Sequence, residues 1–229
     1  MKIGQFKNEE TAFYAVVEGD FVLACDDQLQ LLGPRFRLED VTPLPPVDPI
    51  KIVCVGRNYA EHAKELGNEV PTAPLLFLKA PSAVIASGDS IVIPPQSSQV
   101  EHEGELAVVI GMDCKNIGDD EDPFEYVLGY TCLNDVTARD VQRADVQFTR
   151  GKSFDTFCPI GPYIETELDV SDIRVTTKVN GIVKQDGRTS HMVFPVDFLI
   201  RYISRQMTLN AGDVIATGTP SGVSKMVSG

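Results

Sequence analysis

Between Val100 and Gly111 the chain reads Val-Glu-His-Glu-Gly-Glu-Leu-Ala-Val-Val-Ile-Gly, acidic at every second position and then apolar without a break. The run Leu106–Ile110 has no polar alternation, which predicts a buried strand rather than an edge. On a strand alternate residues share a face, so Glu101, Glu103 and Glu105 point the same way. Carboxylates crowded on one face repel each other unless something positive sits between them. A hard divalent cation such as Mg²⁺ meets that need, because it prefers carboxylate oxygens and keeps positions open for water and substrate. The alternative is a solvated edge strand whose acids face water.

A chain of 229 residues is one domain, or one domain with an appendage. Its hydrophobic content of 43% can fill a sizeable core. No apolar run approaches the ~18 residues needed to cross a bilayer. The N-terminus, Met1-Lys2-Ile3-Gly4-Gln5, lacks the charged-then-apolar pattern of a secretory signal, so a cytoplasmic location is expected. The five cysteines are odd in number, scattered, and without a Cys-x-x-Cys pair. That pattern argues for reduced, mostly buried thiols and against a disulfide framework or zinc knuckle. A net charge of −13 repels nucleic acid and anionic membranes, so neither is expected as a partner. An acidic substrate would then need local cations, a metal together with a few placed Arg and Lys residues.

Residues 1–47 read as a small N-terminal β unit, with Thr11–Val17 and Phe21–Cys25 flanking the break at Glu18-Gly19-Asp20. Prolines 43, 45, 46 and 49 mark a stiff linker into the second unit, residues 48–229. There Ile52–Val55, Leu75–Leu78, Ile91–Ile93, Leu106–Ile110, Tyr126–Leu133 and Val214–Thr217 read as strands. Asn58 is placed to cap a short helix that runs to Leu66 and stops at Gly67, with Glu61 at the capping-box position. Thr137 to about Ala144 has helical period, and Pro195 opens a helix through Val196–Ile203. Asn180-Gly181 joins Ile173–Val179 to Ile182–Lys184 as a hairpin. Strands outnumber helices and hairpins outnumber βαβ units. The fold class is therefore α+β and β-dominated, a mixed roll rather than a doubly wound sheet.

Three further segments carry chemistry. Asp135, after Asn134, sits at a strand–helix junction, where it either completes a carboxylate cluster or caps the helix. Arg139 and Gln142 follow on one helix face. Lys152, in Gly151-Lys152-Ser153-Phe154-Asp155, is a site cation or a snorkelling surface group in a loop. His62 and Glu65 are three apart on the short helix, either a surface pair or a general base with the carboxylate that orients it. Of the other two histidines, His102 has the opposite strand parity to the glutamates and is expected to face the core. His191 reads as a capping or packing residue.

Gly56-Arg57-Asn58-Tyr59 with His62 and Glu65, Glu103-Gly104-Glu105-Leu106, Asn134-Asp135 with Ala138-Arg139-Asp140 and Gln142, Lys152-Ser153-Phe154-Asp155, and Gly218-Thr219-Pro220-Ser221-Gly222 follow one another in order. Together they resemble the fumarylacetoacetate hydrolase family, from about residue 50 to the end, in its acylpyruvase and oxaloacetate decarboxylase-like branch. The resemblance implies a mixed β-sandwich roll with a short lid helix, and a homodimer. It implies Mg²⁺, or Mn²⁺, held by Glu103, Glu105 and Asp135, which leaves Glu101 supporting the site or solvated. Arg57, Arg139, Gln142 and Thr219 fall at substrate-binding positions, and His62, Glu65 and Lys152 at catalytic ones. Family members continue past the Thr219–Gly222 turn with a Gly-Asp turn and another strand-forming segment, so a truncated chain is expected, with Gly229 as the first residue of that turn.

A 2-oxo acid chelates a cation through its carboxylate and 2-oxo oxygens, and the cation then stabilises an enolate developing next to C2. The leading expectation is hydrolysis of a small 2,4-dioxo acid of the acylpyruvate or fumarylpyruvate type. Oxaloacetate decarboxylation or tautomerisation, and isomerisation of 2-hydroxyhepta-2,4-diene-1,7-dioate, use the same residues. A non-catalytic metal- or carboxylate-binding module is the competing class, and His62, Glu65 and Lys152 argue against it.

Overall fold

The computed structural model describes every residue except Glu10, Asp27, Gln28 and Gly229. The reading of Gly229 therefore lies outside the described residues. The strand Gly104–Ile110 is central, antiparallel to Val127–Asn134 on one side and to Val214–Ala216 on the other. From there the sheet runs outward through Ile52–Gly56, parallel to Val214–Ala216, to Leu75–Lys79. In the other direction it passes through Ile164–Glu165 to Lys2–Asn8, Thr11–Glu18, Phe21–Cys25 and Leu31–Arg37. With Thr42–Pro43 paired against Lys2–Asn8, the sheet has 11 strands. The fold is β-dominated and mixed, with few helices.

Leu106–Ile110 is buried throughout, as its unbroken apolar run requires. Ala107 and Val109 pack into one core with Val136, Phe157 and Ile160. Leu106, Val108 and Ile110 pack into another, against Leu199, Ile200 and Ile203 of the helix Val196–Gln206. That helix starts directly after Pro195. The strands of residues 1–47 close a small core of their own around Phe6, Ala15, Val22 and Val41, and Ile3 pairs with Ile164 of the main sheet. The hairpin Arg174–Val179/Ile182–Arg188 turns on Asn180 and Gly181, at φ of 51° and 77°. Two left-handed residues give the type I′ turn that matches strand twist.

Three local expectations fail for tertiary reasons. Ile91–Ile93 is not a strand; among the described residues it has no ladder partner, and Val92 is exposed with its N–H donated to Thr156 Oγ1 at 2.8 Å. Asn58 does not cap the helix Ala60–Glu65, whose N-cap is Tyr59. Its buried side chain instead donates to the carbonyls of Phe194 and Thr217 and accepts from Phe194 N–H, stitching this segment to two distant ones. Thr137–Ala138 is a short strand paired with Val100–His102, so the following helix is only Arg139–Ala144.

Candidate functional site

The pairing of Gly104–Ile110 with Val127–Asn134 sets Gly104 opposite Asn134, so the strand ends bring Glu103 and Glu105 beside Asp135. Asp135 N–H donates to the Glu103 carbonyl at 2.8 Å, and Glu103 N–H donates to Asn134 Oδ1 at 2.9 Å. One carboxylate oxygen from each of Glu103, Glu105 and Asp135 lies within 4.8 Å of the other two. All three residues are buried. Gly104 between the glutamates is a close approach, since a Cβ there would sit 2.0 Å from Thr177 Oγ1.

Buried cations balance part of this charge. Lys152 Nζ donates to Glu103 Oε2 at 2.8 Å and to Asp135 Oδ2 at 2.6 Å. It closes the short helix Thr149–Lys152 and is buried, so of the two readings of Lys152 the surface group in a loop falls. Lys79 Nζ donates to Asp135 Oδ1 at 2.6 Å and to the carbonyls of Val136 and Lys152. Arg139 donates through Nε to Glu101 at 2.7 Å, through one terminal nitrogen to Glu103, and through the other to Gln142 at 2.6 Å. Glu101 is thus buried behind the site holding Arg139, and the solvated alternative for it falls. Asp135 does not cap a helix; both its oxygens go to lysines.

The electrostatics divide the three acids. Burial alone would raise the Glu103 carboxyl, but Lys152 and Arg139 outweigh it and hold it well below the usual range. Burial also works against the Lys152 ammonium, yet Asp135 and Glu103 keep it firmly protonated. Among the described residues Glu105 forms no ion pair. Its Oε2 accepts the Gly218 N–H at 2.8 Å, and burial with Asp135 and Glu103 nearby pushes its carboxyl well up. That unrelieved repulsion, with a donor set of carboxylate oxygens only, fits a hard divalent cation such as Mg²⁺ or Mn²⁺.

The three acids line a cavity of about 300 Å³, together with Arg57, His62, Arg139, Gln142, Lys152 and Thr219. Glu65 stands behind His62, with Oε2 3.2 Å from His62 Nδ1, and also accepts the Gly222 N–H. A carboxylate only accepts, so Nδ1 carries the ring proton and Nε2 is the basic nitrogen. Every site residue expected from sequence therefore meets at this cavity, Glu65 through His62. His102 is buried as expected, and His191 lies outside, exposed in a short 3₁₀ turn. Arg57, at φ 58°, makes no hydrogen bond or ion pair among the described residues.

Sequence reasoning missed Lys79. Lys79 lies just past the expected strand Leu75–Leu78 and is the last residue of the observed one, Leu75–Lys79. A lone cation at the end of an apolar run in a strongly acidic chain was the available signal. Lys79→Met is expected to destabilise the fold by roughly 3–5 kcal/mol, because it takes a buried donor from Asp135 Oδ1 and from the carbonyls of Val136 and Lys152, leaving Lys152 as the one lysine on Asp135. Urea denaturation measures this, and a loss below about 1 kcal/mol would contradict the buried-pair assignment.

Residues 51–228 match the C-terminal domain of fumarylacetoacetate hydrolase. The chain belongs to the fumarylacetoacetate hydrolase family. It is 46% identical over 180 residues to the oxaloacetate tautomerase YisK of Bacillus subtilis, covering 76% of this chain and 60% of that one. It is also 46% identical over 196 residues to the human mitochondrial oxaloacetate tautomerase FAHD2A, covering 83% and 62%. Both relatives are longer, and the chain spans about three-fifths of each. Among solved structures, the 2-hydroxyhepta-2,4-diene-1,7-dioate isomerase of Mycobacterium marinum superposes with a TM-score of 0.90 at 38% identity, covering 99% of this chain and 90% of that one. Membership accounts for the order of the five motifs along the chain. Among the described residues no helix is long and apolar enough to cross a membrane.

Proposed function

We propose that this family member is a Mg²⁺- or Mn²⁺-dependent enzyme that moves a proton at C3 of a small 2-oxo dicarboxylic acid, a keto–enol tautomerase of the oxaloacetate type. The observation that carries the reading is the acidic trio in a cavity whose walls are cationic. The names of the two tautomerases and of the diene isomerase support it, since both reactions relocate a proton next to a 2-oxo or 2-hydroxy carbon. Glu103, Glu105 and Asp135 would hold the cation. When bound, it would supply Lewis-acid polarisation of the substrate's carboxylate and 2-oxo oxygen.

The side chains supply the rest. His62 Nε2, set by Glu65, takes the proton from C3 and returns one to the opposite end of the enol system. Lys152 stays an ammonium, so it acts as a fixed positive charge near the developing negative oxygen and not as a base. Arg139 and Gln142 hold one another, presenting a preset wall to the ligand. Arg57, which forms no ion pair among the described residues, takes the distal carboxylate. Arg57→Met is expected to raise KM for oxaloacetate by about 10–100-fold with a smaller effect on kcat, as for loss of a charge-assisted hydrogen bond. Following the enol absorbance at varied substrate checks this, and an unchanged KM would remove Arg57 from the site.

Hydrolysis of an acylpyruvate is the second reading, favoured by one observation. The His62–Glu65 pair at 3.2 Å would equally activate a water for attack on a distal carbonyl. Oxaloacetate and acetylpyruvate assayed side by side with Mg²⁺ decide between them. Faster turnover of acetylpyruvate would replace the tautomerase reading with the hydrolase one.

A further inference from the structure

Arg139 donates to three side chains, and two of them share one side of its guanidinium. Nε and Nη2 form one edge of that group, the fork that a single carboxylate ordinarily fills with both of its oxygens. Here two carboxylates divide the fork. Glu101 Oε2 accepts from Nε at 2.7 Å, and Glu103 Oε1 accepts from Nη2. The remaining terminal nitrogen, Nη1, donates to Gln142 at 2.6 Å. Glu101 is 6% exposed and Arg139 3%, so the division is made in the interior and not at a solvated surface. Glu101 is not among the residues that line the cavity, so any effect it has there passes through Arg139.

Glu101 is held from its far side as well. Its Oε1 accepts from Gln99 Nε2 at 2.6 Å, while Gln99 Oε1 accepts from Arg143 Nη1 at 3.3 Å. A carboxylate only accepts and a guanidinium only donates, so the Gln99 amide has one orientation. The Gln99 carbonyl also receives the Arg139 N–H at 2.7 Å. Asp140, next to Arg139 in the chain, pins the residues before Gln99, accepting from Ser97 Oγ at 2.5 Å and from Ser98 N–H at 2.7 Å. Residues 97–101 are therefore built onto the start of the helix Arg139–Ala144, and both oxygens of Glu101 are committed. Without Glu101 the whole fork would face one carboxylate. Glu103 would take both nitrogens, and its Oε2, which now accepts from Lys152 Nζ at 2.8 Å, would turn toward Arg139. A carboxylate clamped through both oxygens directs fewer lone pairs at an ion, and the guanidinium largely cancels its charge. We propose that Glu101 is a positioning residue that occupies Nε, holds Arg139 to a single contact with Glu103, and so leaves Glu103 open to ligate a divalent cation. The inference rests on the reading above, in which Glu103, Glu105 and Asp135 hold that cation.

The test is Mg²⁺ calorimetry on the full chain and two variants. Glu101→Met keeps the length of the side chain and removes both acceptors. Its Mg²⁺ affinity is expected to fall about 10–100-fold, the range for groups that support a ligand without ligating. Adding Arg139→Lys abolishes the fork but keeps a positive charge beside Glu103. The double variant is expected to regain Mg²⁺ affinity to within about threefold of the natural chain, a non-additivity that only coupled residues show. Unchanged affinity in Glu101→Met overturns the proposal. So does a double variant as weak as the single one, which would mark Glu101 as a general structural residue. A natural chain that binds no Mg²⁺ would instead overturn the reading of the site on which the proposal rests. If Glu101→Met does not fold, Glu101→Asp takes its place, alone and with Arg139→Lys, since its carboxylate is drawn back from Nε by one methylene. The same loss and the same recovery are then expected, and the absence of either overturns the proposal.

Discussion

Glu103→Ala is expected to abolish divalent-cation binding and turnover together. Glu103 is the acid best suited to ligation, because Lys152 and Arg139 keep it ionised in the interior. Removing it deletes one of three oxygen donors and also releases the two cations that it organises. Groups that only support a metal ligand are worth about 10–100-fold in affinity, so a ligand itself should exceed about 10²-fold. The loss should appear both in Mg²⁺ calorimetry and in the rate of enol formation. Glu103→Gln, which preserves volume and can still accept from Arg139, should behave the same way. Retained activity in either variant would sink the assignment of Glu103 as a ligand.

His62→Ala should separate proton transfer from ligand binding. His62 is buried on the helix Ala60–Glu65, with Nδ1 turned to Glu65 and its ring against the cavity. It is not one of the three acids proposed to hold the cation, so Mg²⁺ affinity should change by less than about threefold, whereas kcat should fall by roughly 10²–10⁴-fold, the usual contribution of a positioned general base. A steady-state pH profile taken alongside should lose the limb that reports an essential base. If His62→Ala instead lowers Mg²⁺ affinity and kcat in parallel, His62 shapes the metal site and another group moves the proton.

Much of the site was legible because its chemistry is written in residue type and local spacing. Alternation at Glu103 and Glu105, the strand end at Asp135, and the three-residue interval from His62 to Glu65 all survive folding, since each depends on the geometry of one element. What stayed hidden depends on contacts between elements. Asn58 has every mark of a helix cap, yet two distant backbone segments offer it three hydrogen bonds, and burial makes these the better use of the side chain. Lys79 sits in a strand of ordinary pattern, and its importance comes only from the carboxylate that the fold delivers to it. Glu101 shares strand parity with Glu103 and Glu105 but is claimed by Arg139 from a helix far along the chain. Ile91–Ile93 shows the same limit for the fold, since an apolar triplet with β-branched residues is not a strand when its main chain is bonded to a side chain, here Val92 N–H to Thr156, rather than to a ladder.

The central claim is that a divalent cation on Glu103, Glu105 and Asp135 makes this cavity a site for 2-oxo acids. Oxalate, which presents two adjacent carboxyl oxygens as a 2-oxo acid does, tests it by calorimetry with Mg²⁺ and again in excess EDTA. One oxalate bound per chain with Mg²⁺, and none in EDTA, is the predicted result. Equal oxalate affinity in both would contradict the account and leave the cationic walls alone as the binding determinant.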